Sequence, residues 1–222
     1  MRFYREHPGF YPQHWRAYRP YTRRDFKSVC AYCFRHEDEA GGEAHFVQDH
    51  FEPKHRPNVN PVDYSNLYWC CAECNSRANK GTNWPSPAHV ARDDVFCDPC
   101  QHDPIGTDYV EDGELLCRRT PAGSYTIDII RLNERDSLRR IRRNRKRVRE
   151  TYVLALQVVR AALHTLDSQQ AERASEEDTE KNRKLSMLVD SYEFFVSREP
   201  FLLTNIPQEI PADVIEGLCP NQ

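Results

Sequence analysis

The sequence lacks an apolar run long enough to form a membrane-spanning helix. None of its hydrophobic stretches approaches the ~20 residues that cross a bilayer. Its first residues, Met1–Arg5, lack the apolar stretch of a secretory signal, and the chain shows no internal repeat and no low-complexity tract. These absences predict a cytoplasmic protein without a membrane partner. The length of 222 residues predicts one substantial domain or two small ones.

An overall excess of positive charge is also missing. The net charge of −3 argues against a uniformly basic nucleic-acid-binding protein. The charge is unevenly distributed, however: residues 1–27 carry seven basic against two acidic residues, and residues 131–149 carry ten against two. These two segments are therefore the places where a polyanion could bind.

Cysteine, by contrast, is abundant. Nine cysteines cannot pair completely within one chain, and nothing indicates an oxidising compartment, so metal binding is favoured over a disulfide framework. Cys30 and Cys33 form one Cys-x2-Cys pair, and Cys71 and Cys74 form another. Two such pairs fit one tetrahedral zinc ion, which would clamp the 37 intervening residues. Two unrelated pairs of buried thiols are the alternative, and Cys70 could replace Cys71, although the spacing favours Cys71.

The other cysteines lie further along the chain. Cys97, Cys100, His102 and Cys117 could form a second zinc site. A turn with packed thiols is the alternative interpretation of this group. Cys219 is remote from both groups, and we expect no role for it.

Polar motifs fall between and after the two cysteine pairs. A neutral histidine such as His50 can take a proton from water near pH 7, and the adjacent Asp49 could hold a hard divalent cation. Together these side chains could hydrolyse a phosphodiester. Asn66–Leu67 follows them, and the second cysteine pair continues into Asn75 and then Lys80–Gly81.

In this order, the motifs resemble the HNH endonucleases, the ββα-metal (His-Me) finger group, over about residues 28–85. The resemblance implies a β-hairpin, a helix that starts at the second cysteine pair, and a structural zinc ion held by Cys30, Cys33, Cys71 and Cys74. It also implies that His50 is the general base, that Asp49 ligates a catalytic Mg²⁺ or Mn²⁺, and that Asn66 braces the loop. Asn75 would be the second ligand of this cation, with Asn79 as a rival, because the final histidine of the motif is absent. His45 and His55 flank the Asp-His pair and could also be recruited.

The resemblance implies DNA as the substrate, with RNA such as tRNA, or a non-catalytic zinc-containing adaptor, as alternatives. A softer resemblance is to the HNH proteins that accompany ABC-type ATPases in Septu-like and some retron phage-defence systems, and it implies an ABC-type or AAA ATPase partner. An acidic protein surface is the competing partner for the basic run after residue 138. The candidate phosphate contacts are Lys54, Lys80, Arg139, Arg142, Arg143 and Lys146.

The predicted fold class is α+β: a zinc-stapled ββα finger with short β-hairpins and a C-terminal antiparallel helical hairpin. The predicted regions are an irregular aromatic and basic arm (1–27), the nuclease core (28–85), a cysteine-containing loop with short strands (86–131) and a helical region (132–222). Short strands are expected over residues 107–130, including Tyr125–Ile129. Asn133 and Asp136 are expected to cap a long helix, followed by a loop over residues 167–178 and a second helix over residues 185–196 that ends at Pro200.

Overall fold

The computed structural model describes residues 1–170, 183–184, 186–187 and 190. It confirms the α+β class, since short helices combine with two antiparallel β-hairpins. The chain divides into two compact units, Met1–Arg143 and Asn144–Gln222. Among the described residues, no helix has both the length and the apolar composition needed to cross a membrane.

The central hairpin pairs strand β1 (Phe46–His50) with strand β2 (Leu67–Cys71). Phe46 lies opposite Cys71 and His50 lies opposite Leu67. Every residue of β2 is buried, as expected for a continuous run of apolar and aromatic residues. The hairpin therefore places His50 at the end of a buried strand, where the chain enters the loop that returns through Asn66.

The N-terminal residues pack onto this hairpin unit. The ring of Phe3 lies 4.7 Å from that of Phe26, and the Phe3 amide donates to the Pro99 carbonyl at 2.8 Å. The predicted irregular conformation is wrong for residues 15–25, which form a 3₁₀ turn (Trp15–Tyr18) and helix α1 (Arg19–Asp25). Pro20 lies in the first turn of α1, where its missing N–H leaves no helical hydrogen bond unmade.

The strand prediction over residues 107–130 is correct only for its first half. Strands β3 (Tyr109–Asp112) and β4 (Leu115–Arg118) form the second hairpin. Residues Pro121–Ile130 are helical instead, because the Thr120 hydroxyl caps the helix by accepting from the Gly123 amide. A Cβ at Gly123 would collide with the Asp108 carbonyl oxygen, so this helix packs against the residue that precedes β3 only with glycine there. Two four-residue helices, α2 (Pro87–Val90) and α3 (Pro104–Thr107), precede β3, and Pro121–Ile130 is helix α4.

The helix expected at the second cysteine pair is not formed, and residues 72–82 are turns and bends. The Asn79 side-chain amide donates to the Glu73 carbonyl at 2.7 Å, and the Lys80 amide donates to the Cys74 carbonyl at 3.0 Å. Side-chain amides that bond to nearby carbonyls compete with helical hydrogen bonds. The hairpin and the turn that follows it thus replace the expected ββα unit.

Helix α5 spans Asp136–Gln170. Asn133 does not cap it; its side-chain amide exchanges two hydrogen bonds with the backbone of Leu116, at 2.8 and 2.9 Å. The loop predicted from residue 167 is wrong for residues 167–170, which continue the helix. The remainder of that loop and most of the predicted second helix lie outside the described residues, although residues 183–184, 186–187 and 190 are helical.

Candidate zinc and catalytic site

Four predicted zinc ligands come together at the end of β2. The ligand atoms of Cys30, Cys33, Cys71 and Cys74 all lie within 4.8 Å of one another, and the sulfurs of Cys33 and Cys71 are 3.9 Å apart. Tetrahedral zinc with Zn–S bonds of ~2.3 Å places its sulfurs ~3.8 Å apart. The donor set therefore fits a zinc ion. It contains Cys71 and not Cys70, because neighbouring strand residues face opposite sides.

A buried arginine, Arg35, and a partly buried one, Arg135, border this sulfur group. Arg135 donates from Nη2 to the Cys74 sulfur at 3.2 Å, and Arg35 and Arg135 both approach Glu73, at 3.2 and 3.6 Å. Burial opposes the positive charge of Arg35, but the nearby cysteines outweigh it and raise the pKa of the guanidinium. Four thiolates and one zinc ion carry a charge of about −2, which these cations offset. No local pattern in the sequence points to Arg135, which lies 61 residues from Cys74.

Removing the Arg135 guanidinium should weaken zinc retention. We expect Arg135→Met to raise the apparent zinc Kd by about 10–100-fold, the usual effect of losing an outer-shell partner. Competition with a chromophoric chelator measures this change. Arg131→Met is the control, because Arg131 pairs with Glu134 on the surface. Equal zinc affinity in the two variants would contradict a role for Arg135 in zinc retention by the four cysteines.

The second zinc site is not formed. Within the described residues, the four-cysteine group is the sole group of three or more His, Cys, Asp or Glu side chains that could hold a metal ion. The Cys97 amide donates to the Thr126 hydroxyl at 2.8 Å, His102 pairs with Asp108, and Cys117 is exposed. Burial raises the pKa of Cys97 to about 12 and that of Cys100 to about 11, so both remain thiols. The alternative of packed thiols therefore holds here.

Close to the four-cysteine group, three of the predicted catalytic residues line one pocket. Its volume is about 290 Å³, and Asp49, His50 and Asn75 all border it. The rival Asn79 is buried and bonded within its own turn, and His45 is not part of the lining. The remaining walls come from Trp15, Gln48, Pro53, Lys54, His55, Arg77, Gly81 and Thr82.

His50 is held as a neutral base. Its Nε2 lies 2.9 Å from the Pro61 carbonyl oxygen, which can only accept, so Nε2 carries the hydrogen and Nδ1 keeps the lone pair. Burial lowers the pKa of His50, so the imidazole is neutral near pH 7. The Trp15 ring packs edge-on against it, with 5.2 Å between ring centroids. Trp15 could not be predicted as a site residue from the sequence, because no spacing links it to the motif.

Asp49 is tied down by two buried donors. Its Oδ2 accepts from the Tyr32 hydroxyl at 2.5 Å and lies 2.8 Å from the Lys80 ammonium. Lys80 is 0% exposed and also donates to the His50 carbonyl at 3.0 Å. The prediction that Lys80 contacts phosphate is therefore wrong, since its charge faces the interior. Lys54 remains exposed at the pocket wall.

Asn66 lies outside the pocket and clamps the loop that follows His50. Its Oδ1 accepts from the Glu52 amide at 2.8 Å, and its Nδ2 donates to the Glu52 carbonyl at 2.8 Å. Its own carbonyl accepts from the Phe51 amide at 2.9 Å. One asparagine thus makes three hydrogen bonds to the two residues after His50.

The basic start of α5 is partly neutralised by a residue of the β3–β4 turn. Arg142 is buried and donates to the Glu114 and Leu132 carbonyls at 2.7 and 2.8 Å, so its predicted phosphate contact is wrong. Arg139 and Arg143 pair with the Glu114 carboxylate. Sequence reasoning found no acid within this run, but the hairpin supplies one from a distance. Lys146 is exposed, with Glu150 at 3.8 Å.

Comparisons of the chain with protein-family models, with curated proteins and with solved structures find no match. Arg77 is a further residue of the pocket wall that sequence reasoning missed. Its position three residues after Cys74, inside the motif stretch, was the available signal.

Proposed function

We propose that the protein is a metal-dependent endonuclease of the HNH type that hydrolyses phosphodiester bonds in DNA. One observation carries the proposal: a single pocket gathers the neutral base His50, the carboxylate of Asp49 and the amide of Asn75. Lys54 and Arg77 add two cationic side chains to the same pocket wall. A base, oxygen ligands and cations in one pocket suit the hydrolysis of a phosphate ester.

The oxygen donors of the pocket fit a weakly held Mg²⁺ or Mn²⁺. Asp49 Oδ1 has no hydrogen-bond partner among the described residues, and the Asn75 side chain lines the same pocket. Mg²⁺ usually keeps several waters and is bound by one or two carboxylates plus substrate phosphates. Such an ion would stabilise the negative charge that develops on the phosphate. Because Lys80 already offsets the charge of Asp49, we expect the substrate phosphate to complete the cation site.

His50 performs the proton transfer in this proposal. The hydrogen bond from Nε2 to Pro61 holds the ring, so that Nδ1 takes a proton from the attacking water. The water oxygen bonds to phosphorus as the bond to the 3′-oxygen of the preceding nucleotide breaks, and that oxygen is protonated by solvent. As the family resemblance implies, the products carry 5′-phosphate and 3′-hydroxyl ends. Lys54 and Arg77 would bind the flanking phosphates.

The proposed setting is a cytoplasmic anti-phage defence complex with an ABC-type ATPase, and it is supported by the motif resemblance alone. Arg139, Arg143 and Lys146 are the remaining basic residues of α5 proposed to meet the DNA backbone. For Arg139 and Arg143, the contact would compete with the existing pairing to Glu114. Lys146 competes only with an exposed i,i+4 pair, which contributes little.

A substrate panel tests the proposed activity. Purified protein is incubated with supercoiled plasmid, linear duplex DNA, single-stranded DNA and tRNA, in Mg²⁺, in Mn²⁺ or in EDTA, with and without a candidate ABC-type ATPase partner. We expect metal-dependent cleavage of DNA and none in EDTA. Cleavage of tRNA alone would move the proposal to the RNA alternative. Binding without cleavage under every condition would contradict the nuclease and favour the zinc-containing adaptor.

A further inference from the structure

Lys80 joins three parts of the site that the sequence motif keeps apart. Its backbone amide bonds to the Cys74 carbonyl at 3.0 Å, within the turn that carries a zinc ligand. Its ammonium bonds to Asp49 Oδ2 at 2.8 Å and to the His50 carbonyl at 3.0 Å. A single residue with a fully buried side chain thus connects the sulfur group, through its backbone amide, to both members of the Asp-His pair, through its ammonium.

The surroundings of the ammonium hold it in this place. Its nitrogen lies 5.7 Å from the centroid of the Tyr32 ring and 5.8 Å from that of Phe96. The Tyr32 hydroxyl binds the same oxygen of Asp49, at 2.5 Å. A buried ammonium that is enclosed by aromatic rings and paired with a carboxylate has no aqueous position to move to without a large cost.

We propose that Lys80 is a positioning residue and a permanent counter-ion of Asp49, a role that rests on the proposed nuclease function. Lys80 and Tyr32 together hold Oδ2 on the inner side of the carboxylate, which leaves Oδ1 for a cation in the pocket. The bond from Lys80 to the His50 carbonyl fixes the backbone from which the general base projects. The turn that carries Cys74 therefore sets the geometry of both catalytic side chains through the backbone of Lys80.

This arrangement has a consequence for cation binding. The ammonium offsets the charge of Asp49 before any divalent ion arrives, so the free protein attracts such an ion weakly. Removal of the ammonium should therefore strengthen cation binding while it spoils the catalytic geometry. A residue that only stabilised the fold would not produce these two opposite effects.

Lys80→Met tests the inference, because methionine keeps an unbranched apolar stem and removes the charge. We expect the kcat for DNA cleavage to fall about tenfold or more, with KM for DNA changed by less than about threefold. We expect Mn²⁺ to bind the free variant about fivefold more tightly, since a like charge beside the site is gone. Titration calorimetry with MnCl₂ alone measures the affinity without any need for catalysis, and zinc content is checked in the same samples.

A second variant covers the case in which Lys80→Met does not fold. Tyr32→Phe removes only the hydroxyl that binds Asp49 Oδ2. Tyr64→Phe is its matched control, because the Tyr64 hydroxyl donates to Asp25 Oδ2 at 2.6 Å, in an equivalent buried bond away from the pocket. We expect Tyr32→Phe to lower kcat about threefold or more relative to Tyr64→Phe, with unchanged zinc content in both.

The outcomes separate this inference from the proposed function. Wild-type protein that binds Mn²⁺ but cleaves no nucleic acid would contradict the nuclease, while tighter Mn²⁺ binding by Lys80→Met would still support the counter-ion role. Unchanged or weaker Mn²⁺ binding in folded Lys80→Met would overturn the inference whatever the activity. Equal kcat in Tyr32→Phe and Tyr64→Phe would overturn the positioning role. Absence of Mn²⁺ binding to both the wild-type protein and folded Lys80→Met would also overturn the inference, while the substrate panel tests the nuclease separately.

Discussion

His50→Ala should lower the rate of DNA cleavage by about 10²–10⁴-fold, the contribution of a positioned general base. The expectation follows from the buried ring, whose Nε2–H bond to Pro61 leaves Nδ1 as the proton acceptor. Burial lowers the pKa of His50 and so keeps this acceptor unprotonated at neutral pH. Initial rates on plasmid DNA, measured with saturating Mn²⁺, give the fall directly.

Two comparisons make this result specific. His89→Ala removes an imidazole outside the pocket, where His89 takes part in a capping box with Ser86, and it should keep the wild-type rate. His55→Ala tests the neighbouring imidazole of the pocket wall, one of the two flanking histidines that could also be recruited. Zinc content and Tm should match the wild type in His50→Ala. Cleavage at the wild-type rate by His50→Ala would remove this residue from the mechanism.

Cys33→Ser should release the zinc ion and destabilise the protein together. The four sulfurs lie at distances that fit one zinc ion, and a structural zinc ion contributes its binding energy to folding. Loss of a metal belongs to the mechanisms that cost ~4 kcal/mol or more. At about 2–4 °C per kcal/mol for a chain of this size, we expect Tm to fall by about 8–16 °C. Metal analysis by mass spectrometry and a thermal melt of the same sample provide both readings.

Cys100→Ser is the matched control for this experiment. Cys33 and Cys100 are both partly buried free cysteines, but Cys100 lies outside the four-sulfur group. The control should keep its zinc ion and lose far less stability. Equal zinc content in the two variants, or an unchanged Tm in Cys33→Ser, would contradict the zinc staple.

The fold could be predicted where local spacing dictates it. Two Cys-x2-Cys pairs predict a shared metal site because each pair presents two sulfurs on one tight turn, and the four sulfurs do meet. The interpretation of Tyr125–Ile129 as a strand was wrong because these residues belong to a helix that Thr120 caps and Pro121 begins. The alternation within residues 125–129 contains no sign of that helix start. The expected helix after Cys74 failed because Asn79 and Lys80 bond back to the turn.

The candidate site likewise contains residues that could be predicted from the sequence and residues that could not. Asp49, His50 and Asn75 could be picked from their order in the chain, and the structure places all three on one pocket. Trp15 could not, because it belongs to an N-terminal segment that meets His50 only in the folded chain. The partner of the basic residues of α5 could not be predicted either, since Glu114 pairs with Arg139 and Arg143 from the turn of a separate hairpin.

By itself, the sequence determined the absence of a long apolar run, the chemistry of the four candidate zinc ligands and the residues that are candidates for catalysis. These features depend on residue type and short spacing, which the chain carries wherever it folds. Only the tertiary structure decided which charges face inward. Lys80 and Arg142 were predicted from the sequence as phosphate contacts, yet both residues are buried. The reason is that a long cationic side chain turns inward when the fold offers it a carboxylate or carbonyls, and those partners come from distant segments of the chain.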